Sequence, residues 1–419
     1  MSSGQNANLE TLETLQRLSK ALKDLDESGR QSKGKSVDTT TITSLLSEQP
    51  PSKEQKSDPD HDPQLGSLSK FEISSSSLSL SHWRELTTDV ESAYKMMEDG
   101  ANLVKSTSTK YTLVGKINVD DGAKLAEDLR KGSELIAAGA FVIHSPLAGC
   151  GYSCRSYAKK TARGIVATLI TLVQSFIDGD ALEGNVGAQK TGAVWSCCDE
   201  ILNKLMPKGN RVSMKRDLLI WMKECNETIS EFQEMLDLGP SSSSDIDKKE
   251  QDDTWDDFIG GSGDDQYSES DFQIAKPSLA IIKCSKGAIN CVSKTCEFVG
   301  EQISKLDISP AQRKTLLQWI SHLHDKARAV GGGMTDLGAL LYPPLVIEGD
   351  LPTEIESQTL AIIDICELLI STDTRPDDNV ESMLALPAEI LELATKIRNM
   401  VNLRRSEAES SLSNALSVQ

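Results

Sequence analysis

The chain has 419 residues, 4% of them aromatic, and its apolar residues are mostly Leu, Ile, Ala, Val and Met. That length allows more than one sizeable core, and the mix favours helix bundles over β-sandwiches, which draw on aromatic and β-branched residues. A net charge of −19 and a pI near 4.8 argue against general nucleic-acid binding, which needs a concentrated basic surface, and favour a basic partner.

Residues 1–80 read as a mostly disordered tail with one short leucine-rich helix. "LETLQRLSKALKDL" sets Leu15, Leu18, Leu22 and Leu25 at 3-4-3 spacing, which predicts an amphipathic helix too short for a stable coiled coil. "EQPPSKEQKSDPDHDPQ" and "SSSSLSLS" are polar and proline-punctuated and predict a linker. No apolar segment follows Met1, position 2 is Ser2 rather than glycine, and "NALSVQ" holds no cysteine. Neither secretion nor lipid anchoring is therefore expected.

Residues 81–238 predict an N-terminal bundle of five helices. Trp83, Leu86, Val90, Ala93 and Met97 step by three or four. The next helix opens on Asp120 and Asp121, where the dipole favours anions, and ends before Pro146. A third helix spans about 152–178 and a fourth about 188–206, stopped at Pro207. Within the third, "GIVATLITLVQSFI" is too short and too polar for a bilayer span. In the fifth, Leu218, Met222, Cys225, Ile229, Phe232 and Leu236 keep one narrow apolar seam.

Residues 239–273 carry eleven acids from Asp245 to Asp271 against two lysines, a net of −9. A segment so acidic cannot bury enough apolar surface to offset its ordering entropy, so it predicts a disordered linker. The second bundle, 274–405, restarts with Pro277 in a first helical turn. Ile282, Ile289, Val292, Cys296, Val299, Ile303 and Leu306 line its first face, and Ser309 with Pro310 opens the next helix. Ile355, Thr359, Ile362, Cys366 and Leu369, then Leu386, Ile390, Leu393, Ile397 and Met400, supply two more. Residues 406–419 read as a fraying tail. The fold class expected is all-α, in two helical bundles joined by an acidic linker.

No catalytic constellation emerges. "GCGYSC" lacks the last glycine of a dinucleotide fingerprint and follows a helix rather than a strand. The nine cysteines give no CxxC pair, and His322 and His324, two residues apart, face different ways on a helix. No catalytic residue, cofactor or metal is expected, and the cysteines read as core thiols in a reducing compartment. Arg155, Lys159 and Arg163 form one basic stripe near a helix start, where cations oppose the macrodipole. Either acidic groups face it, with Asp252, Asp253, Asp256 and Asp257 of the linker as candidates and a basic partner competing for them, or it is a solvated face. Ser242, Ser244, Thr254 and Ser268 each have an acid three residues on and are candidate sites for acidophilic kinases.

"GGGMTDLGALLYPPL" (331–345) reads as punctuation: glycines end one helix, Thr335 caps a two-turn plug, and Pro343 and Pro344 stop it. "TDLGALLYPP" also resembles a segment of the cyclin-D-interacting (cyclin-D1-binding) protein family. "VWSCCDEI", "LLIWMKECNETISEFQEML", the acidic break and "PSLAIIKCSKGAI" extend the resemblance over roughly 83–400, most strongly in the second half. The resemblance implies an all-helical protein with bundles like those of vinculin and α-catenin. It implies binding to D-type cyclins and helix-loop-helix regulators, restraint of the cell cycle or transcription, and a place in both nucleus and cytoplasm. The family offers no catalytic residues to transfer. The reading is a non-enzymatic interaction protein, with no direct nucleic-acid partner and no membrane insertion. The alternative is a vinculin-like adaptor bridging cytoskeletal or trafficking proteins.

Overall fold

A computed structural model describes residues 3–31, 86–241, 266–305, 310–371 and 385–418. Among the described residues all regular structure is helical. In chain order the helices are α1 (Ser3–Gln31), α2 (Thr88–Ile117), α3 (Val119–His144), α4 (Tyr152–Ile177), α5 (Val186–Leu202), α6 (Asn210–Asp237), α7 (Glu269–Lys305), α8 (Pro310–Ala339), α9 (Leu351–Ile370) and α10 (Ala388–Val418). The chain divides into two compact units, Met1–Asn210 and Arg211–Gln419.

In the first unit α2, α3, α4 and α5 close into a ring, each packed on the next and α5 returning to α2. Asn118 turns the chain between α2 and α3, its side chain accepting from the Asp120 N–H at 3.0 Å. The two helices run unusually close because glycines face backbone. A Cβ on Gly122 would lie 2.6 Å from Gly115 Cα, and one on Gly100 would lie 2.6 Å from the Gly132 carbonyl oxygen. The 3-4 spacing of Val90, Ala93 and Met97 becomes a fully buried stripe. Trp83 lies outside the described residues.

The leucine helix is not part of a tail. Helix α1 packs along α3 and α4 and buries Leu12, Leu15, Leu18 and Leu22. Polar bonds fix its register: Tyr111 donates its hydroxyl to Asn8 Oδ1 at 3.0 Å, and Lys159 Nζ donates to the Lys23 carbonyl at 3.0 Å. Spacing alone showed an apolar face. The α3–α4 groove supplies the partner that face needs.

In the second unit α7, α8, α9 and α10 form another ring, closed by α10 on α7. Helix α6 joins this unit from Arg211 on, rather than the N-terminal bundle to which the sequence reading assigned it. Arg211 and Lys215 pair with Glu297 on α7, and Trp221 covers Gly331 on α8. Phe232 sits 5.0 Å from the Tyr342 ring, whose hydroxyl donates to Glu231 Oε1 at 2.6 Å. Of the expected seam, Leu218, Cys225 and Phe232 are buried, while Met222, Ile229 and Leu236 are half-buried. A seam specifies its own width but not which helices cover it.

Three boundaries also move. Helix α7 begins at Glu269, because the Ser268 hydroxyl caps it by accepting from the Asp271 N–H at 3.1 Å. Pro277 then lies two turns inside, at the cost of one backbone bond. Helix α8 runs straight through Gly331–Gly333 instead of stopping there, so Thr335 is a helix-interior residue. Helix α10 continues to Val418, burying Ala408 and Leu412 where a frayed tail was expected. Residues 242–265 of the acidic segment lie outside the described residues. Its two flanks are tied together by the Ser241 N–H donating to the Tyr267 carbonyl at 2.8 Å.

Candidate functional site

The basic stripe of α4 does not assemble as a stripe. Lys159 is 6% exposed and spends its ammonium on the Lys23 carbonyl of α1, while Arg155 is half-buried and Arg163 exposed. Lys159 is thus an internal tie, and only its neighbours face outward. Asp252, Asp253, Asp256, Asp257, Ser242 and Ser244 fall outside the described residues. Ser268 is described: its hydroxyl shares a 2.9 Å hydrogen bond with that of Ser270 besides capping α7. Phosphorylation there would have to displace a working cap.

The thiols are poor nucleophiles. At the mouth of α4, Cys154 Sγ lies 3.1 Å from the Tyr94 hydroxyl, which also accepts from the Gly209 N–H at 3.2 Å. A hydrogen bond to Cys154 and burial push the Cys150 thiol well above its usual range. Burial likewise pushes Cys198, Cys296 and Cys366 up to about 12, and Cys225, Cys284 and Cys291 up to about 11. At neutral pH these groups stay protonated, and thiolate is the reactive form. His324 is 1% exposed, and burial drives its imidazole down to about 4 despite Asp217 Oδ2 at 3.5 Å. The neutral ring lies against Trp221, centroids 5.2 Å apart. Among the described residues no three His, Cys, Asp or Glu side chains gather as metal ligands would.

What the molecule offers instead is surface. On α5, Trp195 is 39% exposed beneath Lys105, whose ammonium is 6.0 Å from the ring and 2.5 Å from Asp199 Oδ1. On α6 the face opposite the buried seam carries Val212, Leu219 and Ile220, which are 54%, 51% and 41% exposed. Lys215, Arg216 and Lys223 lie among them and are exposed too. This face was missed because the sequence reading followed the seam. The signal was present in Val212 and Leu219, seven residues apart on the other side of the helix.

The described residues therefore define an all-α protein of two helical units, with thiols and a histidine buried in neutral form and apolar-basic surface outside. No described helix is long and apolar enough to cross a membrane. Part of the chain is similar to known proteins. Residues 96–238, from α2 through α6, match the family model described as Grap2 and cyclin-D-interacting, N-terminal. A Cyclin-D1-binding protein 1 homolog from Xenopus laevis is 24% identical over 219 residues. That alignment covers 50% of this chain and 59% of the Xenopus protein, so little more than half of the relative's length is matched. The chain is thus similar to cyclin-D-interacting proteins, the family model matching about a third of its length. The matched region includes "VWSCCDEI" and "LLIWMKECNETISEFQEML", whereas "PSLAIIKCSKGAI" and "TDLGALLYPP" lie beyond it.

Proposed function

We propose that this protein is a non-enzymatic regulator that binds a D-type cyclin, or a helix-loop-helix regulator, and thereby restrains cell-cycle progression or transcription in cytoplasm and nucleus. The supporting observation is the family match over 96–238, which runs across the α2–α5 ring and on through α6. Its exposed Trp195, and the Val212, Leu219 and Ile220 face, are chemistry suited to protein contact, since aromatic and apolar groups dominate the energetic centres of interfaces. Helical units whose buried side chains fix their cores leave the outer faces free to vary with a partner. The mechanism is occupancy: a surface that the partner needs elsewhere is covered.

A reconstituted cyclin D–kinase assay tests the restraint. Occupancy predicts inhibition that rises with added protein and reaches its end point near equal amounts of protein and cyclin. Inhibition completed at a small fraction of that amount would indicate turnover, and stimulation or no effect would contradict restraint.

A further inference from the structure

The exposed face of α6 matches itself when turned end for end. The first half of the helix, Asn210 to Lys223, carries four bases against one acid, and the second half, Glu224 to Asp237, carries five acids and no base. Arg211 stands in the first turn and Glu234 and Asp237 in the last, the reverse of what the macrodipole favours. Part of this charge is answered within the chain: Glu297 accepts from Arg211 and Lys215 together, and Lys223 reaches Glu227 at 3.4 Å. An antiparallel neighbour of the same kind would answer the rest, because its acidic half would lie along this helix's basic half.

Six exposed positions carry the match: Val212, Arg216, Lys223, Glu227, Glu234 and Leu238, the last one residue past the helix. Their spacing, 4-7-4-7-4, is the same in both directions. At about 100° per residue they fall within about 80° of arc, one narrow stripe along the helix. From either end the stripe opens on an apolar residue, and two bases on one side of its midpoint answer two acids on the other. We propose that this stripe pairs with the same stripe of a second copy of the chain, antiparallel about a twofold axis. Arg216 then meets Glu234 of the second copy, Lys223 meets its Glu227, and Val212 meets its Leu238.

The same register sets Leu219 and Ile220, 51% and 41% exposed, across from Glu231 and Ser230 of the second copy. Beside Glu231 stands the Tyr342 ring, 45% exposed, whose hydroxyl donates to that carboxylate, so the two leading apolar side chains meet an aromatic face. An isologous contact of this kind makes every pair twice. Charge selects the occupant: an anionic membrane or a uniformly acidic peptide would be repelled by Glu227, Glu231 and Glu234, whereas a second copy meets each half with its opposite. An interface one helix wide is small, and its dissociation constant should lie on the order of 1–100 μM. The pairing does not rest on the cyclin reading, but it covers Val212, Leu219 and Ile220, so a partner on that face and a second copy exclude one another.

Sedimentation velocity of the full chain from about 1 μM to several hundred micromolar tests this, across the range expected for so small an interface. The parent should pass from monomer to dimer as concentration rises. Arg216→Glu and Glu234→Arg each place like charges in two contacts, and each should weaken self-association about tenfold or more. Mixed in equal amounts, the two variants should form a dimer of one of each as readily as the parent, because every reversed charge then faces its opposite. Arg216→Glu and Glu234→Arg in one chain should restore self-association for the same reason. Both positions are exposed, and unchanged helical circular dichroism confirms that each variant is folded. A parent that stays monomeric throughout would overturn the proposal. So would a dimer that neither variant weakens, which would mean another face, or weakening that neither mixing nor the double variant repairs, which would mean that the two positions do not meet.

Discussion

Three consecutive glycines in one helix allow the same substitution to be tried in three environments. Glycine to alanine in a helix interior gains about 1 kcal/mol of intrinsic propensity, so it should stabilise wherever the new methyl has room. At Gly332 nothing lies within 4 Å of the added Cβ, and Gly332→Ala should raise stability by about 0.5–1 kcal/mol. At Gly331 the Cβ would lie 2.7–3.1 Å from three atoms of the Trp221 ring, a flat group that cannot yield at one edge. At Gly333 it would fall on Gln358 Oε1, and that side chain is pinned, its amide donating to Ser285 Oγ at 2.8 Å and the Val330 carbonyl at 2.9 Å. Overpacking of this kind costs typically about 1–3 kcal/mol, against a propensity gain of about 1, so both variants should lose up to roughly 2 kcal/mol. Urea unfolding followed by circular dichroism reads the difference as midpoint shifts at constant slope. Two down and one up is the expected pattern. Equal stabilisation at all three positions would show that α8 does not press against Trp221 and Gln358, and would refute the placement of α6.

Other consequences follow from single residues. His324 has its folded-state pKa near 4 against an ordinary 6.5, so between those values the unfolded chain binds the proton and the folded chain does not. Its contribution is therefore fully present above about pH 6.5 and is lost as pH falls toward 4, a change of about 3 kcal/mol. The stability difference between the parent and His324→Gln should be constant above pH 6.5 and shift against the parent by about this amount as pH falls toward 4, and profiles parallel throughout would contradict the burial. Leu15 is fully buried, so Leu15→Ala should cost about 2–5 kcal/mol by the same assay, whereas a tail helix would lose almost nothing. Ser268→Ala removes the α7 cap and should cost about 1 kcal/mol, with hydrogen exchange accelerated in the first turn of α7 and nowhere else. Lys159→Met should destabilise the docking of α1, seen as faster exchange along α1, because it leaves the Lys23 carbonyl without this donor.

The helices themselves were legible in the sequence because the 3-4 spacing of apolar residues is a local property. Ile355, Thr359, Ile362, Cys366 and Leu369 predict one face of α9, and all five are buried. Met400 ends a similar series yet is 38% exposed, because the buried stripe of α10 runs through Ile390, Ala394, Ile397 and Val401 and leaves Met400 to one side of it. What the sequence could not show were the partners. Helix α6 has its seam whichever unit it joins, and the choice rests on Glu297, His324 and Gly331, all far along the chain. The triple glycine resembles a helix stop because glycine often ends helices. Here its role is to admit the Trp221 ring and the Gln358 amide, neither of which is a sequence neighbour. Lys159 illustrates the same limit for charge: a basic residue at i+4 reads as surface until a distant carbonyl claims it.

The central claim is that this chain binds a D-type cyclin, and calorimetric titration of the full chain with a D-type cyclin of the same organism tests it most directly. The account predicts saturable heat with a stoichiometry near one to one. If the acidic segment or the lysines of α6 take part, the affinity should fall as salt shortens the Debye length from about 30 Å to about 8 Å. Absence of saturable heat with both proteins at roughly 50 μM would contradict the claim, because a regulator weaker than that leaves its partner mostly unoccupied.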